Sequence, residues 1–177
     1  RSHDAAVARY LDDKSLGETG RAHAEAELDR CRALTAQLVG GEADRVAIMG
    51  NSSDALHRLI GSLKYRPGDN VVTTDLEFPS GVLSLLALRE RGVEVRIIPH
   101  ENWTVEPELL RRHVDDRTRA VIASHVSYLS GTRIDAAAYR EIAHEVGAAF
   151  ILDATQSLGV LQVHDTDADA IVASTYN

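Results

Sequence analysis

Asp135-Ala-Ala-Ala-Tyr-Arg-Glu-Ile-Ala-His-Glu-Val146, then Gly147, then Ala148-Ala-Phe-Ile-Leu152, then Asp153-Ala-Thr-Gln156 is the stretch that decides the fold. Residues 135–146 have helical periodicity, Gly147 ends the helix, and the short apolar run 148–152 predicts a buried strand. A carboxylate, a hydroxyl and an amide follow that strand at once. The same alternation extends outward along the chain. Strands are predicted at 45–50, 70–74, 93–99, 119–124 and 169–174 besides 148–152. Between them, helices are predicted at 18–38, from Ser52 through Leu63, at 79–91 and at 107–114, with a turn at Arg66-Pro-Gly-Asp69. Helix and strand in strict alternation predict an α/β fold, a three-layer parallel-type sheet with helices on both faces.

The bulk composition narrows the function. The chain has 177 residues, 44% of them hydrophobic, and 19 basic against 27 acidic side chains give a net charge of −8. That acidity argues against nucleic acid or an anionic membrane surface as partner. Cys31 is the single cysteine, so no disulfide forms within the chain and a reducing, cytoplasmic setting is expected. Cys31 falls on the apolar stripe of the helix at 18–38, with Ala22, Ala26, Leu28, Leu34 and Leu38, and reads as a small core residue. No apolar run approaches the ~20 residues of a membrane span. The chain starts without Met and stops just after an apolar run, which reads as an excerpt of a longer protein.

Ligands of open parallel sheets sit outside the carboxyl ends of the strands. At the predicted strand ends stand Asn51-Ser52-Ser53-Asp54, Asp75-Leu-Glu-Phe78-Pro79-Ser80, His125-Val-Ser-Tyr128, Asp153-Ala-Thr-Gln156 and Ser174-Thr-Tyr176-Asn177. Hydroxyls, one aromatic ring and one carboxylate converging on one edge of the sheet suit a phosphorylated aromatic ligand. Each feature also has a plainer reading. Ser52 and Ser53 can be ordinary helix caps, Asp153 a solvated turn residue, Phe78 core, and Tyr176 a strand-edge aromatic. The dinucleotide and Walker phosphate loops, zinc-ligand spacings and the Gly-x-Ser-x-Gly elbow are all absent from the sequence.

From about Ala43 to Asn177 the sequence resembles the class V aminotransferases of pyridoxal 5′-phosphate (PLP) fold type I. That group includes cysteine desulfurases, kynureninase and isopenicillin N epimerase-like enzymes. Asp153-Ala-Thr-Gln156-Ser157 is the most specific match. The resemblance implies that Asp153 faces the pyridinium nitrogen and Gln156 the phenolic oxygen of the cofactor. It implies phosphate contacts from Ser52, Ser53, Ser174 and Tyr176, and ring stacking by Phe78. Tyr128 becomes a candidate substrate contact. Phe78 and Tyr128 stand where desulfurases carry His and Asn, and Tyr176 also points toward the kynureninase or epimerase side.

The resemblance further divides the chain into an N-terminal helical segment, 1–40, and a PLP-binding large domain, 41–177. That domain would be truncated before its last strand and the small C-terminal domain. A PLP-dependent transaminase, epimerase or lyase acting on an amino acid is implied, with a homodimer as the complete protein. One departure stands out: Asn177 occupies the position of the Schiff-base lysine. Asparagine has no basic amine and can neither bond the cofactor covalently nor shuttle a proton. The alternatives are a PLP-fold protein that binds without turnover, a Lys→Asn mutant, a lysine one residue further on, and a phosphate-binding α/β domain unrelated to PLP.

Overall fold

The computed structural model describes residues 3–175. The chain forms two compact units, residues 1–48 and 49–177. In the first, helices α1 (His3–Lys14) and α2 (Glu18–Val39) pair as a hairpin. Gly20 is required there, because a Cβ on it would lie 1.6 Å from the Asp13 carbonyl oxygen. Gly40 ends α2 in the left-handed region, its N–H bonded to the Ala36 carbonyl.

Of the residues of α2, only Gly20 and Ala36 are buried. Leu28, Leu34, Leu38 and Cys31 are exposed, so Cys31 is not the core residue that its place on the stripe predicted. Periodicity marks the face a helix can bury, but a neighbour has to cover that face.

The second unit begins with α3 (Ser52–Ser62), followed by β1 (Asn70–Thr74), α4 (Pro79–Leu86), β2 (Glu94–Ile98), α5 (Pro107–Arg111), β3 (Thr118–Ser124), α6 (Ala136–Glu145), β4 (Ala149–Asp153) and β5 (Ala170–Val172). The five strands lie in the order β2-β1-β3-β4-β5, all parallel. Alternate strand residues serve two cores. Val72, Val121, Ala123, Phe150 and Leu152 pack with Leu109, Leu110, Tyr139 and Ile142 of α5 and α6. Val71, Ala120, Ile122, Ile151 and Val172 pack with Leu56, Ile60 and Leu85 of α3 and α4. The sheet thus carries helices on both faces, the architecture expected from the sequence.

Three local expectations need correction. The strand predicted at 45–50 does not form among the described residues. A 3₁₀ turn occupies Ala43–Arg45, and residues 46–50 belong to no strand of the sheet. A strand exists only where a neighbour accepts its ladder bonds, and its sequence cannot supply that neighbour. The helix predicted at 79–91 stops at Leu86 and tightens into a 3₁₀ segment, Ala87–Arg91, before Gly92 at φ +74°. The last strand is only Ala170–Val172, paired to Ile151–Asp153 of β4.

Candidate cofactor site

β1 lies between β2 and β3, so the chain reverses direction across the sheet there, and the carboxyl ends of β1 and β3 form the switch point at which parallel sheets bind ligands. Side-chain alternation then decides which residues reach it. On β4, Ile151 packs toward α3 and α4, so Asp153, two residues on, faces the same side. Ser124 pairs with Asp153 in the β3–β4 register and follows Ile122 on that face. Val172 of β5 packs on that face too, and Ser174 follows two residues beyond it.

The polar ends converge on two helix starts. Asn51 caps α3, its side-chain oxygen accepting from the Asp54 N–H at 2.8 Å. Ser52 and Ser53 occupy the first turn, where backbone N–H groups have no intrahelical acceptor. The Ser174 hydroxyl meets that of Ser52 at 3.0 Å, and Ser53 meets Ser80 of α4 at 2.9 Å. A hydroxyl pair needs only one of its two hydrogens, so each keeps one for an acceptor. Hydroxyl donors and N–H groups at a helix start make a phosphate cradle. The cap of α3 is therefore Asn51 and not Ser52 or Ser53, which leaves both serine hydroxyls for other partners.

Phe78 and Tyr128 meet edge to face, with centroids 5.1 Å apart and planes at 72°. They are 50% and 40% exposed, so Phe78 is not the core residue its plainer reading allowed. Asp153 is half-buried, and one carboxylate oxygen accepts from the Thr155 N–H at 2.9 Å. Gln156 is exposed on the same turn. Tyr176 and Asn177 lie outside the described residues.

The structure adds Glu77, which in the sequence is only one member of a strand-end cluster. Its carboxylate accepts from the Ser124 N–H at 2.9 Å, the Ser124 hydroxyl at 2.6 Å and the Thr74 hydroxyl at 3.1 Å. It thereby ties the ends of β1 and β3 together, immediately before Phe78. The residue keeps a little surface, but its carboxylate is enclosed. Burial pushes its pKa up to about 7 from 4.5, against the pull of the Ser124 and Thr74 bonds, and the Asp153 charge adds to the rise.

A native carboxyl that holds its proton more tightly than the unfolded chain makes stability fall as pH rises through that window, from about 4.5 to about 7. The fall amounts to at most roughly 3–4 kcal/mol, at ~1.4 kcal/mol per pH unit. Glu77→Gln, which can accept from the Ser124 N–H and donate to its hydroxyl, is expected to abolish it. Thermal melts from about pH 4 to 8 should show the variant more stable than the parent at the alkaline end and equal to it at the acid end. Parallel curves would refute the assignment.

Hydroxyls and N–H groups at two helix starts, two exposed aromatic residues and a half-buried carboxylate stand at the carboxyl edge of one sheet, and this donor set fits the three parts of PLP. A family model, aminotransferase class V, matches residues 5–176. The chain belongs to the class V aminotransferases.

As a class V aminotransferase it is 37% identical over 138 residues to a probable cysteine desulfurase of Methanothermobacter thermautotrophicus, a match covering 77% of this chain and 34% of that protein. It is 30% identical over 172 residues to the uncharacterized aminotransferase YcbU of Bacillus subtilis, covering 96% of this chain and 46% of the relative. Among solved structures, a C-DES mutant with glycine covalently linked to the PLP cofactor aligns with a TM-score of 0.86 at 19% identity. That alignment covers 97% of this chain and 48% of the other. The cysteine desulfurase CsdA of Escherichia coli, as its S-sulfonic acid, aligns with a TM-score of 0.82 at 17% identity, covering 97% and 47%.

These structural likenesses show the fold. The chain spans between a third and a half of the length of these proteins. Membership in the class V aminotransferases indicates PLP as the cofactor. Desulfurases stand among the relatives even though Phe78 and Tyr128 differ from the residues that branch carries there.

Proposed function

We propose that the full-length protein holds PLP at the carboxyl edge of this sheet and uses it on an amino acid, as a lyase or a transferase. The observation that carries this reading is the gathering of Ser52, Ser53, Ser174 and Phe78 at two helix N-termini, with Tyr128 against Phe78 and Asp153 at the end of β4. Bound PLP supplies an electron sink for negative charge developing on a substrate carbon. The chain's own residues serve that chemistry by position. Ser52, Ser53, Ser174 and Tyr176 hold the phosphate, Phe78 covers the ring, and Gln156 approaches the phenolic oxygen. Asp153 keeps a proton on the ring nitrogen. Tyr128, in contact with Phe78, lies on the substrate side.

The similarity to a probable cysteine desulfurase favours a carbon–sulfur lyase over a transaminase or an epimerase. Asn177 favours a second reading, in which this form binds PLP without turnover. A homodimer in the cytoplasm is the expected setting. Among the described residues no helix is long and apolar enough to cross a membrane.

Titrating PLP into the full-length protein tests the site. Ser53→Ala and Ser174→Ala should each weaken retention by ~1.5–3 kcal/mol, roughly ten- to a hundredfold, as expected for a lost hydrogen bond to a charged group. Absence of PLP binding by the parent would sink the proposal. Retention by Tyr176→Phe equal to the parent would make Tyr176 a packing residue.

A further inference from the structure

Behind the turn that carries Asp153, a line of hydrogen bonds runs through side chains to which the proposed function gives no role. His125 follows β3 and is buried, 1% exposed. The Arg133 Nε–H lies 3.1 Å from its Nε2. Arginine can only donate, so Nε2 must offer a lone pair and the ring proton sits on Nδ1. Nδ1 is 2.9 Å from Ser157 Oγ and donates to it. The Ser157 hydroxyl is left to donate to the Ala154 carbonyl at 3.3 Å. Every donor and acceptor in this line has one consistent direction. Burial, and after it the Arg133 charge, push the His125 pKa down, which keeps the ring neutral.

The backbone shows what this line grips. The His125 N–H donates to the Asp153 carbonyl at 2.8 Å. The Ser157 and Leu158 N–H groups both donate to the Ala154 carbonyl, at 3.0 and 2.8 Å, and close a turn. Inside that turn the Thr155 N–H holds the Asp153 carboxylate at 2.9 Å. One histidine thus holds the turn at both ends, by its main chain where the turn begins and by its ring where it closes.

We propose that His125 is a positioning residue for the Asp153 carboxylate: the Nδ1–H tautomer imposed by Arg133 fixes, through Ser157, the turn that aims this carboxylate at the cofactor's ring nitrogen. The inference rests on the assignment of Asp153 to that nitrogen. It also gives Arg133, Ser157 and His125 a joint role that reaches the cofactor without touching it.

The test loads the full-length protein with pyridoxamine 5′-phosphate labelled at the ring nitrogen and follows its NMR shift with pH. The parent should keep the ring nitrogen protonated. Ser157→Ala and His125→Leu should lower the pKa of that nitrogen by about one unit, a tenfold shift, as expected for one lost hydrogen bond in its support. His125→Asn, whose amide can donate to Ser157 from near the Nδ1 position, should restore the parent value. If His125→Leu fails to fold, Ser157→Ala, which keeps the imidazole, decides alone. A parent-like shift in Ser157→Ala, or no rescue by His125→Asn, overturns the positioning role while leaving the cofactor assignment intact. An unprotonated ring nitrogen in the parent overturns both.

Discussion

Asp153→Ala in the full-length protein is expected to lower turnover by between a hundred and several thousand-fold. Taking one partner out of an enclosed charge pair costs ~3–5 kcal/mol, and each ~1.4 kcal/mol is a factor of ten in rate. The geometry makes the expectation specific. Asp153 ends β4 on the face that packs against α3 and α4, and the Thr155 N–H holds one carboxylate oxygen, leaving the other for the ring nitrogen. Asp153→Asn keeps an acceptor for Thr155 but carries no charge, so it should lose activity almost as fully while folding normally. Steady-state kinetics on the two variants check this. Rates equal to the parent's would remove Asp153 from the ring nitrogen.

Asn177→Lys should produce the largest gain. Position 177 lies outside the described residues. We read Asn177 as standing at the position of the family's lysine, counting from Ser174 through Thr175 and Tyr176. With asparagine there, PLP is held by noncovalent contacts alone, and borohydride should leave no PLP on the full-length protein. With lysine, borohydride should fix one PLP to the chain, seen by intact mass. Activity should rise by ~10²–10⁴-fold from restored proton transfer alone. A PLP adduct on the unsubstituted protein would place the lysine at another position and end the second reading of the function.

Much of this site can be read along the chain because its determinants are local. The apolar run Phe150-Ile151-Leu152 and the turn residues after it announce a strand end with an acid on it, and alternation alone predicts the side that Asp153 faces. Ser52 and Ser53 are readable as a helix start because capping depends on residues three apart, as the Asn51–Asp54 bond shows. Glu77 and His125 stand in the same strand-end clusters, yet nothing nearby distinguishes them. Their partners, Ser124, Ser157 and Arg133, are 47, 32 and 8 residues away.

Local sequence was therefore enough to dictate the α/β alternation, the sheet with helices on both faces, and the polar residues gathered at its strand ends. Each of these depends on periodicity and turn chemistry within a few residues. Long-range packing was needed to set the strand order β2-β1-β3-β4-β5, and with it the position of the switch point between β1 and β3. Packing also left residues 45–50 without a strand partner among those described, exposed Cys31, and made Glu77 hold its proton up to about pH 7. Strand pairing, burial and proton affinity are properties of the surroundings, and those surroundings come from residues far apart in the chain.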